Sequence, residues 1–124
     1  MTIDSTYTKK INFLKDIETN NKSHSGRTLM DHLIGVYNIL KEHGAPQYLQ
    51  DAGLFHSVYG TVIFKHQSTN NRDDVRELIG EQSEEIVWQF CNLPRKRYEG
   101  ISKFEGQLKK DLILLTKANS IEQR

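Results

Sequence analysis

Only one cysteine, Cys91, occurs in the 124 residues, so no internal disulfide can form, and a reducing cytoplasm is the expected compartment. Charge of one sign is equally scarce. Seventeen Lys and Arg stand against 16 Asp and Glu, a net +1 with histidine neutral. That balance argues against a nucleic-acid binder, whose affinity comes from clustered cations neutralising phosphates. Long apolar runs are missing too: stretches such as "LILL" at 112–115 fall far short of a membrane span. "MTIDSTYTKK" carries no apolar segment after its charges, so no signal peptide is expected. No alternating β-branched run reaches strand length, and there is neither an internal repeat nor a low-complexity tail. What remains is one domain with enough chain for a single core.

Helical periodicity fills most of that domain. In "YTKKINFLKDIE", Tyr7, Ile11, Leu14 and Ile17 recur at spacings of three and four, which predicts an amphipathic helix ended by "TNNKSHSG". Thr28 with Asp31 three residues on reads as a capping box, opening a helix to about His43. Gly44 is its left-handed stop. Pro46 opens the next helix, "PQYLQDAGLFHSVY", which Gly60 should end. "KHQSTNNRDD" reads as a polar loop, "DDVRELIG" as a short helix closed by Gly80, and "EQSEEIVWQFCNL" as another. "PRKRYEGISK" reads as an exposed basic connection, and the last helix, from near Phe104, aligns Leu108, Leu112, Leu115 and Asn119. The expected fold is an all-α bundle of five or six short helices, with residues 1–22 as an N-terminal helix and loop before a core over 23–119.

Two of these helices each direct an imidazole inward. His32 shares a face with Leu29, Val36 and Ile39, and His56 follows Leu49 and Ala52 by two turns and one. A buried imidazole needs a hydrogen-bond partner or a metal, since leaving it unsatisfied costs about 1–3 kcal/mol. Taken singly, each is a core histidine bonded to a backbone carbonyl; taken as a pair, they are candidates for one shared site.

"SGRTLMDHLIGVYNIL" followed by "DAGLFHSVYGT" resembles the HD-domain hydrolases, specifically the hydrolase half of the RelA/SpoT-type (p)ppGpp enzymes. The resemblance implies that His32 is the first metal ligand and His56 the second, with "VRELIGEQSEEIVWQF" as the following helix. "LKKDLILLTKANSIEQ" would then be the late helix that supplies the last ligand, at Asn119. The sequence departs from the family's pattern in three places. The His-Asp pair is His56-Ser57, the acidic pair after it is absent from "VYGT", and the late Asp is Asn119. Neutral oxygens are poor substitutes for carboxylates beside a divalent ion.

Among residues that could complete the set, His24 at the loop-to-helix junction ranks first, ahead of Asp51, Asp111 and His66. Asp31, adjacent to His32, points about 100° away on a helix and reads as a cap. Ser57 and Tyr59 are candidate catalytic groups, and Arg27 and Thr61 candidate phosphate-binding groups, each weighed against a purely structural role. Three functions are compatible with these residues. The first is a metal-dependent phosphohydrolase using Mn, Fe or Zn on a nucleotide or other small phosphorylated molecule, with no nucleic-acid or membrane partner. The second is a metal-free HD-like domain that binds a small ligand or a partner protein. The third is an HD-type iron oxygenase, which ranks last because it needs more carboxylates than the sequence places beside the two histidines.

Overall fold

The computed structural model describes residues 5–17, 23–24, 27–62 and 67–123. Among the described residues the chain forms seven helices: α1 (Ser5–Asp16), α2 (Leu29–Glu42), α3 (Gln47–Phe55), α4 (Arg72–Ile79), α5 (Glu81–Cys91), α6 (Arg97–Ile101) and α7 (Gly106–Glu122). The only extended elements among them are β1 (Ser23–His24) and β2 (Arg27–Thr28), a two-residue antiparallel pair that the sequence gives no pattern to predict.

Local chemistry sets the helix bounds. Thr28 Oγ1 accepts the Asp31 amide at 3.1 Å while the Asp31 carboxylate accepts the Thr28 amide at 3.4 Å, the reciprocal capping box expected for α2. After His43 the chain turns at Gly44, whose φ of +76° is left-handed backbone that a side chain would strain. Asn71 caps α4 through its side-chain oxygen, which accepts the Asp74 amide at 3.2 Å.

Two expectations are corrected. The third helix stops at Phe55, not near Gly60, because residues 56–60 tighten into three-residue turns. The Val58 amide donates to Phe55 O at 3.0 Å and the Gly60 amide to Ser57 O at 2.9 Å. The basic segment after Pro94 is not all connection: Arg97–Ile101 forms α6, which raises the helix count from the five or six expected to seven.

The core is continuous, built from Leu29, Leu33, Val36 and Leu40 of α2, Leu49, Ala52, Leu54 and Phe55 of α3, Ile86, Val87 and Phe90 of α5, and Leu112 and Leu115 of α7. α2 packs on both α3 and α7, and α3 also packs on α5 and α7, so the three helices α2, α3 and α7 meet around one line. The α2–α3 approach depends on Gly53. A Cβ there would come within 2.5 Å of Leu40 Cδ1 and 3.2 Å of Val36 Cγ1.

Candidate functional site

Where α2, α3 and α7 meet, four polar side chains interrupt the apolar packing. α2 contributes His32, the end of α3 His56, and α7 Asn119 and Glu122, the last two spaced i, i+3 on one face. His32, His56 and Asn119 are no more than 3% exposed. His32 Nε2 lies 3.2 Å from His56 Nε2, and Asn119 Oδ1 lies 2.8 Å from the first and 3.1 Å from the second. The three atoms form a nearly equilateral triangle.

Each ring is fixed from behind. His32 Nδ1 donates to Glu122 Oε1 at 2.5 Å, and His56 Nδ1 donates to the Gly53 carbonyl at 2.7 Å. With both Nδ1 atoms carrying hydrogens, neutral rings present bare Nε2 lone pairs to one another and to the carboxamide oxygen. Three facing acceptors repel unless one positive charge lies among them, either a proton on a ring nitrogen or a metal ion. Glu122 lies close against Gly35 on α2, where a Cβ would come within 2.5 Å of Glu122 Oε2 and 2.6 Å of its Cγ.

Burial sets the electrostatics of His56. Desolvation, followed by the nearby His32, lowers its pKa from 6.5 to about 3, and Arg97 adds to the shift; the Gly53 and Asn119 bonds oppose it. The consequence for stability has a definite sign. Between about pH 6.5 and 3 the unfolded chain binds the proton that folded His56 refuses, so stability falls as pH drops through that window. Urea titrations should show a loss approaching about 1.4 kcal/mol per pH unit below 6.5, absent in His56→Gln. An unchanged slope in that variant would refute the assignment.

The other sequence candidates fall in different places. Ser57 is buried next to His56 in the chain, and its hydroxyl has no hydrogen-bond partner among the described residues. Thr61 is buried and bonded. Tyr59 faces away from the histidines: its hydroxyl donates to Glu84 Oε2 at 2.8 Å. Asp31 is the α2 cap. Asp51 is occupied by Lys10 at 2.9 Å and Gln47 at 3.0 Å, and Asp111 by Tyr48 at 3.2 Å and Gln107 at 2.9 Å. The side chains of His24 and Arg27 lie outside the described residues, as does His66.

Glu84, like Glu122, was not singled out by the sequence pattern. It is 1% exposed and holds a compact cation cluster: Arg72 reaches it with Nε at 2.7 Å and Nη2 at 2.9 Å, and Arg76 at 3.5 Å. Arg72 also lies over the Trp88 ring, 4.1 Å from its centroid. Burial pushes the Glu84 carboxyl up, but the bonds from Arg72 and Tyr59 and the two guanidinium charges outweigh it and hold the group below its usual range. Cys91 is buried; its thiol donates to the His56 carbonyl at 3.0 Å, and desolvation pushes it up to about 12.

Residues 13–95 match a family described as a domain of unknown function, DUF6817. The chain belongs to this family. No curated protein and no solved structure matches it. The DUF6817 match contains His32, His56 and the Glu84 cluster, while Asn119 and Glu122 lie beyond it on α7. No helix of the described residues is long and apolar enough to cross a membrane.

Proposed function

We propose that this DUF6817 chain is an HD-like, metal-dependent phosphohydrolase of small phosphorylated molecules, with His32, His56 and Asn119 as the protein ligands. The observation that carries the reading is the triangle of Nε2, Nε2 and Oδ1 with both rings locked at Nδ1. Donor atoms at about 2.0–2.1 Å from one metal ion lie about 3 Å apart, which is the separation here. The Glu122–His32 pair is the carboxylate–histidine arrangement that fixes a ligand's tautomer and raises its basicity.

A divalent ion held there supplies a Lewis acid and an acidified water. The chain's own part is to hold three neutral donors rigid, to leave the remaining positions to water and substrate, and to keep Glu122 as the balancing negative charge. In the reaction, water adds its oxygen to phosphorus, the phosphorus–oxygen bond to the leaving group breaks, and the leaving group takes up a proton.

A second reading, a metal-free binding domain, draws on a different observation. Among the described residues no three His, Cys, Asp or Glu side chains gather as a metal set, and the third donor here is a carboxamide. A proton on His32 Nε2 would then satisfy Asn119 and His56, with Glu122 as its counter-ion.

Metal content separates the two. Untagged protein incubated with Mn²⁺, Zn²⁺ or Fe²⁺ and desalted should hold close to one ion per chain. His32→Ala and His56→Ala should hold none, and the loaded wild type alone should release phosphate from p-nitrophenyl phosphate or pyrophosphate. Metal-free wild type after all three ions leaves the second reading standing.

A further inference from the structure

α6 and the segment before it form one wall of an open cavity at the surface. Arg95, Lys96, Arg97, Tyr98 and Glu99 face Thr116 and Ser120 of α7 around a space of about 360 Å³, within the range of small-molecule pockets. Three cations meet one carboxylate there. Arg97 is half-buried and, among the described residues, its guanidinium has no carboxylate partner. It lies over the face of Phe90, 4.7 Å from the ring centroid. That ring in turn meets the His56 imidazole edge-on, with centroids 5.3 Å apart. A single aromatic ring thus separates the cation from the histidine triangle. Thr116 and Ser120 stand on either side of Asn119 along α7; the Thr116 hydroxyl donates to Leu112 O at 2.7 Å, and Ser120 is exposed. Tyr98 is one of the exposed large side chains, at 53%.

We infer that this cavity binds a phosphorylated small molecule bearing a planar ring, its phosphates on Arg95, Lys96 and Arg97 and its ring against Tyr98. A half-buried Arg97 guanidinium with no carboxylate partner among the described residues, flanked by two exposed cations, favours a ligand anion, and a guanidinium matches phosphate oxygens bidentately. An exposed tyrosine at the rim offers a stacking face for any base. None of these residues is a donor in the histidine triangle, so the inference does not depend on a metal being bound.

Calorimetric titration of the untreated full chain with ADP and with inorganic pyrophosphate tests it. Both should bind. Arg97→Gln should weaken both by about tenfold or more, and Tyr98→Ala should weaken ADP while sparing pyrophosphate. The titrations use the chain without added metal, so binding that persists while the metal-loaded chain releases no phosphate counts against the hydrolase reading alone and leaves this one intact. Arg95→Gln/Lys96→Gln, at two exposed positions, stands in if Arg97→Gln fails to fold. No heat with either ligand, or equal affinities in wild type and the arginine variants, overturns the proposal. Equal ADP binding in wild type and Tyr98→Ala removes the ring contact from it.

Discussion

Asn119→Asp is expected to bind Mn²⁺ about a hundredfold more tightly than wild type, read by competition with a fluorescent chelator. The argument is electrostatic. Asn119 Oδ1 already stands 2.8 and 3.1 Å from the two Nε2 atoms, so the substitution adds a full negative charge with almost no change of shape. Wild type surrounds the same point with neutral donors and keeps the Glu122 carboxylate one imidazole away. An anionic oxygen in direct contact with a divalent ion is a harder and stronger donor than a carboxamide. Unchanged affinity would mean that the side chain at 119 does not contact the ion, as the metal-free reading requires.

The second large effect concerns stability. Arg72→Met should lower the unfolding free energy by about 2–3 kcal/mol, seen as an earlier urea midpoint. Removing the guanidinium strips the buried Glu84 carboxylate of two bonds, at 2.7 and 2.9 Å, and of its nearest charge. The effect stays below that of a fully buried pair because Arg72 is 29% exposed and Arg76 still reaches the same carboxylate. Adding Glu84→Gln to the same chain should recover part of the loss, since it discharges the group left behind. A midpoint unmoved by Arg72→Met would show that Arg76 and Tyr59 suffice to hold Glu84.

The outline of the bundle was legible because its boundary chemistry is local. Thr28 with Asp31, Gly44 and Gly80 all act within four residues, which suffices to place α2 and the junction of α4 with α5; the Asn71 cap, lying in a stretch that reads as a polar loop, was missed. The inward pairing of His32 and His56 was legible too, since each shares a helical face with leucines and valine or alanine. Asn119 entered only through the HD-domain resemblance. Glu122 was missed although it follows Asn119 by one turn, because a glutamate near a helix end reads as solvated. Gly35, lying across from it on α2, leaves room for its side chain. The early end of α3 was hidden because the His56 ring bonds back to Gly53 and the backbone tightens behind it, which no spacing of apolar residues announces. α6 was masked by its own composition: a basic stretch with a glycine carries no apolar period.

The facing acceptors also bear on how this chain can drift. An aliphatic trio of similar volume at positions 32, 56 and 119 would pack without repulsion, and buried polar clusters exchanged for hydrocarbon often leave a fold sturdier. Random substitution filtered by stability alone would therefore erase the histidine pair early. A lineage that retains it is being sorted on something other than thermal endurance, and comparing melting temperature with retention of these three positions across members would weigh one pressure against the other.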